Sequence, residues 1–172
     1  MNRSSDWWDQ WFMELAFHAA TASKDPSTKV GAVIVGAGDR RKISLGYNGF
    51  PPGIKDDERM EDRPTKYSLT IHAERNALDN ATFDVVGGTL YCTAHPCREC
   101  AKSIISRRIA RVVTSPIPRI EKGRWTEELP EAQALLVEAK IEVSLIGFRS
   151  PETWLDDLSI VEADKLMKGE VK

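Results

Sequence analysis

Three cysteines in 172 residues are too few for a disulfide framework and fit a reducing compartment. No apolar run approaches the length that spans a bilayer, and Asn2-Arg3-Ser4-Ser5-Asp6, followed by Trp-rich amphipathic sequence, has no signal-peptide core. A soluble, cytoplasmic chain without a membrane partner is therefore expected. Positive charge is not in excess either: 24 Lys and Arg stand against 26 Asp and Glu, a net charge of -2. Nothing in that balance argues for a nucleic-acid partner, and a small substrate is favoured. Internal repeats and low-complexity tracts are missing. The length suits one domain with a sizeable core, so a single domain over 1–172 is expected.

What is present centres on Thr93-Ala94-His95-Pro96-Cys97-Arg98-Glu99-Cys100. Two thiols three positions apart behind a proline make half of a metal site, and the other half lies upstream at His72-Ala73-Glu74. One His and two Cys supply three ligands, the number a catalytic zinc uses while its fourth position stays open to water. Glu74 is then the spare carboxylate. Pro96 suits the first turn of a helix, which places Cys97 and Cys100 on one helical face. The positive end of the helix dipole lowers the cost of holding both as thiolates. The run from His72 to Ala81 is rich in good helix formers, so a second helix N-terminus is expected at the same metal. Two other readings stand beside this one. The pair could be a redox dithiol, which would leave His72 and Glu74 unexplained. It could also belong to a closed structural zinc with Cys92 as fourth ligand, although Gly88 to Thr93 reads as a strand in which a buried thiol is ordinary.

Along the chain, Asp6 to Ser23 has apolar residues at Trp8, Phe12, Leu15, Ala19 and Ala22, the spacing of a helix, with Ser4 or Ser5 as N-cap. Trp7 and Trp11 beside that stripe are assigned to packing against another element, and His18 to simple filling. Val30 to Val35 reads as a strand buried on both faces, Gly36 to Arg41 as a turn, and Lys42 to Gly46 as the antiparallel partner strand. Gly46 to Gly53 holds too many glycines and prolines to continue a strand and is expected to be a shaped loop. Asp56 to Arg63 is charged and reads as a solvated loop. Further strands are expected at Gly87–Thr93, Ala110–Thr114 and Ile141–Ile146. Helices are expected from Cys97 to about Arg107 with Ala101, Ile104 and Ile105 on a sheet, over Pro130–Ala139 with Ala134, Leu135 and Ala139 packing, and over about Pro151–Lys168. The segment Ser115 to Leu129, with its prolines and Arg119, Lys122 and Arg124, reads as a loop near a strand end where ligands often bind. This order implies an α/β fold, a three-layer α/β/α arrangement with a five-stranded mixed sheet and the metal at one end.

Several stretches together resemble the deoxycytidylate deaminases of the cytidine deaminase-like superfamily: Ser23-Lys24-Asp25-Pro26, Val30-Gly31-Ala32, Gly46-Tyr47-Asn48-Gly49-Phe50-Pro51, Lys66-Tyr67, His72-Ala73-Glu74-Arg75-Asn76-Ala77 and Pro96-Cys97-Arg98-Glu99-Cys100-Ala101-Lys102. The His-x-Glu and Pro-Cys-x-x-Cys pair by itself is the signature of zinc nucleobase deaminases at large. The Gly-Tyr-Asn-Gly-Phe-Pro loop with Lys-Tyr ahead of His-Ala-Glu narrows it to the nucleotide enzymes. The resemblance implies a hydrolase that converts dCMP to dUMP and ammonia for thymidylate synthesis, with Zn2+ on His72, Cys97 and Cys100 and Glu74 as the catalytic carboxylate. It further implies substrate contacts at Asn48 and Ala73, and an effector region at Tyr47, Gly49, Phe50, Pro51 and Gly53, where dCTP activates and dTTP inhibits, with Mg2+ accompanying the triphosphate. A homohexamer is also implied. The Tyr that family members often carry after the fourth strand, near the substrate phosphate, is missing from Ser115–Trp125, a departure that bears on the phosphorylation state of the substrate; of the cations there, Arg119, Lys122 and Arg124, the phosphate is assigned to Arg119 and Arg124. The Cys and His residues of the family's second, structural zinc site are absent as well. Another cytosine nucleotide or nucleoside as substrate, or a non-catalytic nucleotide sensor, are the competing expectations.

Overall fold

Residues 4–116 and 124–147 are described by the computed structural model, with the side chains of 124–127 excepted. The first helix, α1 (Ser5–Ala20), starts where Ser4 accepts a hydrogen bond from the Trp7 N–H. Its buried stripe is Asp9, Phe12, Met13, Ala16 and Ala20, one position away from much of the expected Trp8-to-Ala22 stripe. The cause is close approach to strand β1 (Gly31–Gly36): a Cβ on Gly31 would stand 2.0 Å from the Ala16 carbonyl oxygen and 2.5 Å from the Ala20 nitrogen. Only small side chains fit between helix and strand there. Trp7 and Trp11, expected in the core, are each 37% exposed.

Every residue of β1 is buried, as expected of a strand covered on both faces. It pairs antiparallel with β2 (Asp39–Tyr47) through a hairpin tighter than the sequence suggests: Gly36 pairs with Asp39, and Gly38 supplies a positive φ of 69° for the two-residue turn. The stretch Asp56–Arg63 is not a plain loop. A 3₁₀ turn over Glu58–Met60 buries Met60, and α2 (Arg63–Leu69) follows, with the Asp62 carboxylate accepting from the Thr65 N–H and Pro64 in the first turn. Then come α3 (Ala73–Asp79), β3 (Thr89–Cys92), α4 (Arg98–Ser106), β4 (Arg111–Thr114), α5 (Arg124–Glu138) and β5 (Glu142–Leu145).

The last helix among the described residues, α5, starts six residues before the expected Pro130. Pro130 lies inside it and is exposed, where its missing N–H and its ring disturb only the solvent side. The packed positions of α5 are accordingly Leu129, Ala132 and Leu136, while Ala134 and Ala139 face water. The helix expected over Pro151–Lys168 lies outside the described residues.

The five strands form one mixed sheet in the order β2-β1-β3-β4-β5; β1 is antiparallel to β2 and β3, and β3, β4 and β5 run parallel. One face packs Val33, Val35, Tyr91 and Val113 against Phe12, Met13 and Ala16 of α1. The other packs Ala32, Ile34, Leu90, Cys92 and Val112 against α3, α4 and α5 through Ala73, Ala77, Ala101, Ile104, Ala132 and Leu136. The three-layer α/β/α reading holds. Gly31, Tyr47, Cys92 and Thr114 share one end of the sheet by register, and there the chain leaves β3 for the cysteine turn.

Candidate active site

Both metal half-sites sit at helix starts. His72 is the N-cap of α3 and Cys97 the N-cap of α4, each extended (ψ 153° and 172°) just before its helix begins. Pro96 therefore precedes the helix instead of occupying its first turn. Cys100 follows in the first turn of α4. Two separate helix N-termini converge: His72 Nδ1 lies 3.4 Å from Cys97 Sγ and 3.4 Å from Cys100 Sγ. All three ligand atoms lie within 4.8 Å of one another, so the group could hold a metal ion. Tetrahedral zinc with Zn–S of about 2.3 Å and Zn–N of about 2.05 Å requires N-to-S edges of roughly 3.6 Å. The donor set and its spacing fit.

Cys92 is not part of this group, although it is fully buried at the end of β3. Burial, and then the Glu74 carboxylate, push its thiol well above the ordinary value. The closed four-ligand alternative therefore has no support among the described residues. Without metal, the hydrogen bond from Cys100 draws Cys97 down strongly, with His72 assisting against burial, and Cys100 keeps the proton it donates. A helix N-terminus and an imidazole already favour thiolate here.

Glu74 is 3% exposed in the first turn of α3, and burial pushes its carboxyl up to about 7. A carboxylic acid poised near neutral pH beside a metal group is suited to taking up and returning a proton. Ala73, next to it, is fully buried and packs into the core cluster beneath the sheet. A cavity of about 450 Å³ opens on His72, Cys97 and Cys100 and is bordered by Tyr67, Arg75 and Arg98. Glu74 and Asn48 are not on its wall. The two arginines are already engaged, Arg75 with Asp79 at 3.0 Å and Arg98 with Glu131 at 2.7 Å.

The sequence of this chain matches the cytidine and deoxycytidylate deaminase zinc-binding region over residues 6–115. The chain belongs to that family. Over 137 residues it is 36% identical to an uncharacterized deaminase from Aliivibrio fischeri, covering 80% of this chain and 92% of the other. It is 42% identical over 113 residues to the deoxycytidylate deaminase of Homo sapiens, covering 62% of this chain and 63% of the human one. Among solved structures, the dCMP deaminase of cyanophage S-TIM5 in complex with dCMP and dUMP superposes with a TM-score of 0.64 at 25% identity, over 84% of this chain and all of that one.

Of the other expected site residues, Asn48 is buried at the same end of the sheet. Its Oδ1 accepts from the Val30 N–H at 2.8 Å and its Nδ2 donates to the Thr28 carbonyl at 2.9 Å. Gly49 and Ile71 exchange backbone hydrogen bonds of 3.1 and 2.8 Å, which ties the loop after β2 to the residue before His72. Tyr47 is exposed, Phe50 lies under the Arg59 guanidinium 5.8 Å from its ring centroid, Pro51 is half-buried, and Gly53 has a φ of 87°. The loop is indeed shaped. Arg119 and the Arg124 side chain lie outside the described residues. The motif reading gave no role to His95, which is buried between the Pro96 carbonyl (2.9 Å) and Gln133 of α5 (3.0 Å), nor to a buried pair between Lys66 and Asp25. Asp25-Pro26-Ser27-Thr28 carried the signal for the second, since Asp before such a run commonly folds its carboxylate onto following N–H groups.

Proposed function

We propose that this protein deaminates dCMP to dUMP, releasing ammonia. The observation that carries the reading is one buried carboxyl, Glu74, held beside a three-ligand group, His72, Cys97 and Cys100, in a chain of the deaminase family. The deoxycytidylate deaminase of Homo sapiens among the relatives, and the dCMP and dUMP bound by the phage neighbour, support the substrate.

His72, Cys97 and Cys100 would hold the zinc. The chemistry a bound zinc supplies is activation of water near neutral pH, where the pKa falls from 15.7 to about 7. Glu74 takes the proton of the attacking water and passes it to pyrimidine N3, which makes C4 electrophilic. The water oxygen adds to C4, giving a tetrahedral carbon that bears both hydroxyl and amino groups; Glu74 then moves the hydroxyl proton to the amino nitrogen, the C4–N bond breaks, ammonia leaves, and the C4 carbonyl of uracil remains. Burial, which raises this carboxyl, favours its accepting as well as donating a proton. Asn48 contacts the sugar, and Arg119 and Arg124 take the phosphate.

The product feeds thymidylate synthesis, and the Tyr47–Gly53 loop takes dCTP as activator and dTTP as inhibitor, with Mg2+ on the triphosphate. Apolar side chains around that loop support a homohexamer with effectors between subunits: Leu45, Tyr47, Ile54 and Tyr67 are 43–51% exposed. The deciding experiment follows ammonia release by the zinc-loaded protein on dCMP, dCTP and deoxycytidine side by side, with and without added dCTP or dTTP, and light scattering reports the assembly. Turnover of dCMP modulated by the triphosphates is expected. Turnover of only another cytosine compound overturns the substrate, and no turnover with zinc bound overturns the enzyme reading.

A further inference from the structure

The segment from Thr28 to Val30 runs into β1 outside the hairpin ladder, and the side chain of Asn48 serves as its partner. The Val30 N–H goes to Asn48 Oδ1 at 2.8 Å, the Asn48 N–H goes to the Val30 carbonyl at 3.1 Å, and Asn48 Nδ2 goes to the Thr28 carbonyl at 2.9 Å. A primary amide carries two N–H groups on that nitrogen, so the direction of the second is set by where Thr28 lies. What fixes Thr28 is Asp25. Its Oδ1 accepts from the backbone N–H groups of Ser27 at 2.8 Å and Thr28 at 3.0 Å, and from the Ser27 hydroxyl at 2.9 Å.

That carboxylate is in turn held from across the molecule. Lys66 Nζ, on α2, donates to Asp25 Oδ1 at 3.0 Å and to the Ser27 hydroxyl, with side-chain exposures of only 5% for Lys66 and 9% for Asp25. The Lys66 carbonyl also caps the end of α2, accepting from the Thr70 N–H at 2.9 Å, and the next residue, Ile71, is bonded both ways to Gly49. Ser23 closes the ring by donating its hydroxyl to the Asn48 carbonyl at 2.8 Å. One lysine thus joins the loop before β1, the loop after β2 and the segment that delivers His72. A buried ion pair is a poor way to gain stability, since apolar groups of the same volume often do as well or better. It is a good way to define a position.

We propose that Lys66, through Asp25, is a positioning residue that sets the orientation of the Asn48 side chain toward the nucleotide. The kinetic part rests on the dCMP reading above; the positional part does not. The experiment compares wild type, Lys66→Met and Asp25→Asn, all zinc-loaded, by backbone hydrogen exchange, zinc content and steady-state kinetics on dCMP. In both variants the amides of residues 27–30 and 48–49 are expected to exchange about tenfold faster or more, while those of β3 and β4 keep their protection. KM for dCMP is expected to rise about tenfold, with kcat and bound zinc near the wild-type values. Asp25→Asn keeps the oxygen acceptor for the turn and loses the charge, so it serves if Lys66→Met does not fold. Exchange unchanged at 27–30 and 48–49, or raised uniformly with the core, overturns the inference. So does KM unchanged where wild type turns over dCMP. If wild type does not turn over dCMP, the substrate reading fails and the exchange result alone decides the positioning role.

Discussion

Glu74 is buried, so replacing it tests the proposed chemistry with little change of shape. Glu74→Gln is expected to fold, to bind one zinc per chain, and to lose turnover by about 10²-fold or more, the scale of a general acid–base contribution. Metal analysis alongside an ammonia assay checks this; wild-type turnover in the variant would remove Glu74 from the mechanism. The proposed phosphate contacts make a second prediction at this scale. Arg119→Ala and Arg124→Ala are expected to raise KM for dCMP by about tenfold each, in line with a lost charge-assisted contact of roughly 1.5 kcal/mol, and to leave deoxycytidine turnover alone. Equal effects on both substrates would place these side chains elsewhere.

At the level of elements, α3 carries Glu74 and is entered through His72, and it is seated by close backbone contact. A Cβ on Gly46 would stand 2.3 Å from the Ala73 carbonyl oxygen and 2.3 Å from the Ala77 nitrogen, while Ser44 donates its hydroxyl to the Ala77 carbonyl at 2.7 Å. Gly46→Ala must push the helix off the strand. We expect a loss of about 1–3 kcal/mol by urea unfolding, as for other overpacked sites, together with weaker zinc retention against a chelator. At the far end of the sheet, Asp9 of α1 is bound by the two terminal Arg111 nitrogens, Nη1 and Nη2, at 2.8 Å and by the Tyr91 hydroxyl at 2.6 Å. Burial alone would raise the Asp9 carboxyl, but the bonds from Arg111 and Tyr91 outweigh it and the net shift is downward from 3.8. A carboxylate lowered on folding adds stability that is whole above its unfolded pKa and is lost as pH falls through the folded one. Asp9→Asn should therefore cost about 3 kcal/mol between pH 5 and 8, with the difference from wild type shrinking below pH 4. Urea unfolding across that range is the check; a constant difference down to pH 3 would deny the ion pair its role.

For the whole molecule, the core is expected to hold without the metal. Apolar clusters fill both faces of the sheet, and the ligand group sits at one end. Chelation is expected to abolish turnover while leaving far-UV circular dichroism and a cooperative melt, with stoichiometric zinc restoring activity. Collapse of the fold on chelation would mark the zinc as structural. Among the described residues no helix is long and apolar enough to cross a membrane.

His72, Cys97 and Cys100 were legible in the sequence because metal chemistry restricts residue type and spacing so strongly that few alternatives survive. Strand β1 followed from an unbroken apolar run and β3, with Leu90 and Cys92 on one face, from the period of two, and the glycine and proline content of the Gly46–Gly53 stretch marked a shaped loop. Tertiary structure decided what periodicity cannot carry. The stripe of α1 turned by one position because Gly31 admits a helix backbone, and α5 ran through Pro130 because that residue faces water. Cys92, the fourth ligand of the closed-zinc alternative, is not among the residues whose ligand atoms gather within 4.8 Å of one another, a matter of position and not of type. Lys66 met Asp25 from 41 positions away. Local sequence specifies local conformation and ligand chemistry, but a buried pair between distant segments arises only when the packed sheet brings both inside and leaves each as the other's partner.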